Sequence, residues 1–227
     1  MTLRNSGRVA GFAFLVYIAS AFGGLLLSSH ASGGADATAK LANIAAHAGT
    51  VRLALLLELL GCFCALVLAV TLHALTRAVD PDLALLAGVC RVAEGVVGAV
   101  ALERGAGRLW LATGGRAGDP AAADVLATVL MKLPGWSTEV GATLFSVGSL
   151  LFAWLFLRGR VVPAALARLG VLASLLTAVC LPLQLVGLVG RPITDFMWLP
   201  MLVYEVWLAL WLIARGVSTP RERLAGA

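Results

Sequence analysis

The sequence predicts an all-α fold: a polytopic integral membrane protein built as a bundle of six transmembrane helices with two short amphipathic interfacial helices. Of its 227 residues, 60% are apolar and only 13% are charged, whereas about a quarter of the residues of a soluble protein are charged. Six apolar stretches each reach the roughly 20 residues that cross a bilayer. We therefore expect a single transmembrane helical domain over residues 1–227.

The six predicted spans are apolar runs separated by polar, glycine-rich or proline-containing segments. They cover about residues 9–28, 51–75, 83–104, 138–157, 163–189 and 196–214. Arg4 and Arg8 precede the first run, as in a signal peptide or a retained first span. Its length exceeds the 7–15 residues, roughly, of a secretory apolar region and favours a retained span. Pro81 is expected to start the third span, and Pro182 to kink the fifth.

Two short segments have the pattern of helices that lie at a membrane surface. After Asp36, a good N-cap residue, apolar side chains recur on one face of the segment 37–49. Asp119 followed by Pro120 is a second start signal, which predicts a helix from Ala121 to Leu133.

Lysine and arginine predict the orientation, because cytoplasmic loops of membrane proteins are enriched in them. With both termini in the cytoplasm, the cytoplasmic set is Arg4, Arg8, Arg77, Arg158, Arg160, Arg168, Arg215, Arg221 and Arg223. The outer set is then Lys40, Arg52, Arg104, Arg108, Arg116, Lys132 and Arg191. The small excess inside favours cytoplasmic termini.

Several functional classes find no support in the sequence. The net charge of +5 comes from single arginines beside apolar runs, not from the basic stripe of a nucleic-acid-binding protein. The four cysteines lie within apolar runs and do not suggest a disulfide framework. The metalloprotease, serine hydrolase and phosphate-loop motifs do not occur, and the three histidines are scattered. We expect no cofactor, no metal site and no nucleic-acid partner.

Charged residues inside the predicted spans are the candidates for a binding site. Arg91 and Glu94 fall near the middle of the third span, Glu58 in the second and Glu205 in the sixth. A charge at the bilayer centre costs about 2.5–3.5 kcal/mol, so such groups should converge. This predicts an outward-opening acidic pocket among spans two, three and six, with Arg91 balancing the carboxylates. Gly95 and Gly98 should let a neighbouring helix approach.

A purely structural interpretation is equally open. Arg91 and Glu94 are spaced as an intrahelical ion pair, and Glu58 and Glu205 could hydrogen-bond between helices. The aromatic residues Tyr17, Trp110, Trp198, Trp207 and Trp211 are then interface anchors or core.

Four segments of the chain carry a family resemblance: GADATAKLANI after the first span, Arg52 followed by LLLELLG, LTRAVDPDLALLAGVCRVAEG, and YEVWLALWLIARGV near the end. With them the chain resembles the bacterial six-span membrane family known as domain of unknown function 4386 (DUF4386). By position, the family's polar landmarks are Asp36, Ala39, Asn43, Arg52, Arg91, Glu94 and Glu205; Glu139 is a further candidate. The resemblance implies an integral fold in a bacterial cytoplasmic membrane and no assigned activity.

Three functions follow as hypotheses. The first is binding or transport of a small cation, a proton or a lipophilic amine at the intramembrane carboxylates. The second is a membrane-embedded enzyme that uses a protonated carboxyl as general acid on a lipid-soluble substrate. The third is a structural or accessory membrane subunit, with a protein partner that the sequence does not identify. In each case the lipid bilayer is the surrounding medium.

Overall fold

The computed structural model describes residues 3–114, 125–126, 128–131 and 135–217, with the side chains of 191–195 outside the description. Within these ranges the ordered elements are all helices. They are α1 (Leu3–Ala31), α2 (Ala37–Ala46), α3 (Ala48–Thr76), α4 (Pro81–Ala112), α5 (Trp136–Arg158), α6 (Ala164–Leu185) and α7 (Arg191–Ala214). Six of them, all but α2, are long and apolar enough to cross a membrane. The predicted six-span class is confirmed.

Two helices end at positions that differ from the predicted spans. α4 continues past the predicted end at Arg104 to Ala112, because an isolated glycine is tolerated inside a helix. Gly114 then takes a φ of 138°, a conformation that a helix does not contain. α6 stops at Leu185, before the predicted end at 189, and Gly187 with a φ of 77° turns the chain away.

Aspartate caps begin two of the helices; the cap at Asp36 was predicted, whereas for the other helix only Pro81 was predicted as a start residue. The Ala39 amide donates to Asp36 Oδ1 at 2.7 Å at the start of α2. The Leu83 amide donates to Asp80 Oδ1 at 3.1 Å, and Pro81 occupies the first turn of α4. Asp80 Oδ2 also accepts a 3.1 Å hydrogen bond from Arg158 Nη1, which ties the start of α4 to the end of α5.

The two predicted interfacial helices have different outcomes. α2 is present, and its Leu41 is buried against Leu111 of α4. Its position at a membrane surface stays a prediction. The predicted helix 121–133 lies mostly outside the described residues, together with Asp119 and Pro120, although 125–126 and 128–131 are helical.

The six long helices form a closed ring. Each packs against its neighbour in the order α1, α3, α4, α5, α6, α7, and α7 packs back on α1. Close approaches depend on glycine: a Cβ on Gly11 of α1 would lie 2.7 Å from the Ala209 carbonyl oxygen of α7, and a Cβ on Gly170 of α6 would overlap the Tyr204 ring of α7. The ring therefore encloses a narrow interior in which the charged side chains of α4 and α7 lie.

Candidate functional site

Arg91 occupies the interior of the ring at the middle of α4. Its side chain is 1% exposed. The guanidinium carbon lies 4.9 Å from the ring centroid of Phe145 in α5 and 5.2 Å from that of Tyr17 in α1. Both distances are within the range of cation–π attraction. Gly148 of α5 makes room for the arginine stem, since a Cβ there would lie 3.4 Å from Arg91 Cδ.

Glu94, one turn further along α4, joins this arginine to α1. Its Oε2 lies 2.9 Å from Arg91 Nη1, an ion pair whose angles do not make a hydrogen bond. Its Oε1 accepts a 2.7 Å hydrogen bond from the Tyr17 hydroxyl. The charged form of Glu94 is therefore stabilised on both oxygens.

Glu205 of α7 is the second buried carboxylate beside Arg91. It is 5% exposed, and its Oε1 has no hydrogen-bond partner among the described residues. Arg91 interacts electrostatically with both Glu94 and Glu205, while its Nε and Nη2 also have no hydrogen-bond partner within the described part of the chain. We name Tyr17, Arg91, Glu94, Phe145 and Glu205 the buried cluster; it contains two buried carboxylates and one guanidinium, which forms its ion pair with Glu94.

A cavity of about 410 Å³, the inner cavity, lies against the buried cluster. Its walls come from α1, α3, α4 and α5, with Trp198 of α7. Most of the lining is small or apolar: Ala21, Gly61, Ala65, Gly95, Gly98 and Gly141. Two carboxylates, those of Glu58 and Glu94, are on the wall. The cavity thus offers a mainly apolar volume with acidic groups at two places.

A smaller and more polar cavity, the outer cavity, continues from the first towards the C-terminal end of α4. It has a volume of about 210 Å³ and includes Arg104 and Arg108 in its wall. Both cavities are lined by Ser28, Glu58, Ala101 and Thr138. Glu58 therefore stands where the two cavities meet, and among the described residues it makes no hydrogen bond or ion pair.

The predicted pocket residues fall into two groups in the structure. Glu58 and Glu94 line the inner cavity, whereas Arg91 and Glu205 lie behind its wall. The cavity adjoins α3, α4 and α7, which are the predicted spans two, three and six, and it is also bounded by α1 and α5. As expected, Gly95 allows a close approach, since a Cβ there would lie 3.1 Å from the Cys62 carbonyl oxygen.

None of the secondary candidates lines either cavity. Asp36 caps α2, and Asn43 Nδ2 donates to the Gly33 carbonyl oxygen at 3.3 Å and to that of His30 at 3.4 Å. Arg52 is exposed on α3, and Glu139 is in the first turn of α5. These two do not line either cavity.

For two residues of the buried cluster, the sequence predicted only part of the observed role or none of it. Tyr17, predicted to be an interface anchor or a core residue, packs against the hydrophobic core, and its hydroxyl also donates a hydrogen bond to Glu94 inside the ring. Its place near the middle of α1 is the available signal, because a tyrosine that anchors at the interface belongs near a helix end. Phe145 has no comparable signal, since phenylalanine is common in every part of a membrane helix.

Comparison with known proteins finds one match of family type. A family model described as "Domain of unknown function (DUF4386)" matches residues 9–216. No curated protein matches the chain, and no solved structure matches it.

Proposed function

This chain belongs to the DUF4386 family, and from the geometry of its inner cavity we propose that it binds a lipophilic organic cation, such as an amine, within the membrane. The observation that carries the proposal is the Glu58 carboxylate, which lines a mainly apolar cavity and has no hydrogen-bond or ion-pair partner among the described residues.

The size and lining of the inner cavity support an organic ligand rather than a bare ion. Its volume of about 410 Å³ falls within the range of small-molecule sites, about 300–1,000 Å³. A bare inorganic cation needs a shell of several oxygen ligands, whereas this lining is mostly carbon. An apolar body could fill the cavity and remove its surface from water.

The charges and rings of the cavity support a positive ligand. Tyr17, Phe145 and Trp198 line the cavity, and aromatic rings attract ammonium groups. Glu58 provides a carboxylate that no described cation neutralises. A bound ammonium group near Glu58 would supply the missing counter-charge in a region of low dielectric constant.

We further propose that the protein resides in a bacterial cytoplasmic membrane with both termini in the cytoplasm. The excess of arginine at the termini and between residues 158 and 168 supports this orientation. Since the inner cavity extends along α4 from Glu94 to Ala101, towards the C-terminal end of the helix, it would then open to the outside.

Cysteine labelling tests this orientation. In a cysteine-free background, we expect Ala35→Cys, in the exposed connection before α2, to react with a membrane-impermeant maleimide added to intact cells. Ala78→Cys, in the exposed turn between α3 and α4, should react only after the cells are opened. The reverse pattern would show that the termini are outside.

Ligand binding tests the proposed function directly. We expect benzyltrimethylammonium to raise the melting temperature of the purified protein, whereas its neutral carbon isostere neopentylbenzene should have a smaller effect. Glu58→Gln should weaken binding of the cation about tenfold, because the neutral amide removes the electrostatic attraction between the carboxylate and the ammonium group, and a tenfold change corresponds to about 1.4 kcal/mol. Titration calorimetry measures the affinity.

Glu103→Gln is the matched control, since Glu103 is an exposed carboxylate of α4 that lines neither cavity. Its affinity for the cation should equal that of the wild type. Equal affinity of wild type and Glu58→Gln, or equal stabilisation by the cation and its neutral isostere, would contradict the proposal.

A further inference from the structure

We propose that the bound organic cation and a proton on Glu205 exclude each other, so that each cation bound in the inner cavity releases one proton and the protein is built for cation–proton exchange. The inference rests on the proposed function. It concerns a residue that lies behind the cavity wall and does not line it.

The first step is a count of charges in the buried cluster. Arg91 keeps its positive charge under all ordinary conditions. If Glu94 and Glu205 were both ionised, the cluster would carry one uncompensated negative charge at positions that are 7% and 5% exposed. Burying an unpaired charge is strongly unfavourable. One proton on a carboxylate makes the cluster neutral.

The second step assigns this proton to Glu205. Both oxygens of Glu94 face positive or donor groups, Arg91 Nη1 at 2.9 Å and the Tyr17 hydroxyl at 2.7 Å. Glu205 has a buried Oε1 with no hydrogen-bond partner in the described part of the chain. The charged form is therefore favoured at Glu94, and the neutral form at Glu205.

The third step connects the cavity to Glu205 through Arg91. A cation whose ammonium group lies between Glu58 and Glu94, which both line the inner cavity, shares the Glu94 carboxylate with the guanidinium. Arg91 is then available to Glu205, with which it already interacts electrostatically. The faces of Tyr17 and Phe145 hold the guanidinium but leave Nε and Nη2 without hydrogen bonds to described residues. These donors can serve an ionised Glu205.

The exchange balances in charge and atoms. The O–H bond of the Glu205 carboxyl breaks, its electron pair stays on the carboxylate oxygen, and the proton goes to water. The inner cavity gains one cation and the buried cluster loses one proton, so the net charge of the two together does not change. The titratable and charged groups facing Glu205 are Arg91 and Glu94 of α4, Tyr17 of α1 and Tyr204 of α7.

Proton release on binding tests the inference. Calorimetric titration of the full chain with benzyltrimethylammonium, which has no titrating proton, is run in buffers of different ionisation enthalpy. We expect about one proton released per cation bound, and an affinity that falls up to about tenfold for each unit of decrease in pH while Glu205 is protonated. Neopentylbenzene should release no proton.

Variants locate the source of the proton. Glu205→Gln keeps the shape of the side chain and should lose the proton release, whereas Glu58→Gln should bind more weakly but still release one proton per cation. Glu103→Gln should match the wild type in both. If Glu205→Gln does not fold, the pH dependence of the affinity of Glu58→Gln decides, because that variant has no carboxyl at position 58 to titrate: an affinity that does not fall with decreasing pH would overturn the exchange.

The outcomes separate the two proposals. A wild type that does not bind the cation overturns the proposed function. A wild type that binds it without releasing a proton, or a Glu205→Gln variant that releases as many protons as the wild type, overturns the exchange and leaves cation binding standing.

Discussion

Replacing Arg91 by methionine is expected to lower the free energy of unfolding by about 3–5 kcal/mol, the usual effect of removing one partner from a buried ion pair. Methionine keeps an apolar stem between the rings of Tyr17 and Phe145, so the packing changes less than the charge. In this variant Glu94 and Glu205 remain buried without a guanidinium beside them. Unfolding in mixed micelles with increasing denaturant measures the difference.

The exposed ion pair between Arg158 and Asp80 provides a matched control. Arg158 Nη1 lies 3.1 Å from Asp80 Oδ2, a distance like that in the buried pair, but the Arg158 side chain is 56% exposed. Arg158→Met should therefore change the free energy of unfolding by only about 0–1 kcal/mol. Adding Glu94→Gln to Arg91→Met should restore part of the lost stability, because it removes a stranded charge. Equal losses for Arg91→Met and Arg158→Met would mean that the buried cluster does not stabilise the fold.

The second large effect is expected at Gly11, where the ring of helices closes. A Cβ there would lie 2.7 Å from both the Ala209 carbonyl oxygen and Ile213 Cγ1 on α7. The Ala209 oxygen belongs to the backbone of α7, so it can move away only if α7 itself shifts. Gly11→Ala should therefore lower the free energy of unfolding by about 1–3 kcal/mol, the usual penalty of overpacking. Thermal melting in detergent detects the loss.

Gly49→Ala is the control for this substitution. Gly49 is helical and exposed, and a Cβ at that position would meet nothing within 4 Å. The substitution of Gly49 should leave the free energy of unfolding unchanged or raise it by up to about 1 kcal/mol, since alanine favours the helix. A melting temperature that rises equally for both variants would show that α1 and α7 are not in close contact.

The sequence predicts the number and approximate positions of the long helices because membrane thickness dictates how long an apolar run must be, whereas their ends differ from the predicted spans by up to eight residues. It also predicts that Arg91 and Glu94 lie at similar depth and on one face, since they are one turn apart. It does not predict which helix faces them. α1, α3 and α5 are apolar nearly all round, and such helices have no periodic polar side that would distinguish lipid from protein.

The contributions of α1 and α5 to the site are therefore visible only in three dimensions. Tyr17 and Phe145 reach Arg91 from helices that have few charges of their own. Glu58 and Glu205, by contrast, are recognisable in the sequence as charged residues inside apolar spans. Glu58 lines the inner cavity, whereas Glu205 does not. Depth along a helix can be counted in residues, whereas rotation about its axis depends on packing against neighbours that the sequence does not specify.

The helices are synthesised in chain order, and this order gives the Arg91–Glu94 ion pair a role during membrane insertion. α4 emerges before α5 and α7, which supply Phe145 and Glu205, so Arg91 meets the lipid when much of its final surroundings has not been made. Its counter-ion Glu94 is on the same helix, 2.9 Å away. α4 thus brings its own neutralising partner into the bilayer, and insertion of a charged helix need not await completion of the ring. Glu205 arrives last and completes the interior as α7 closes against α1.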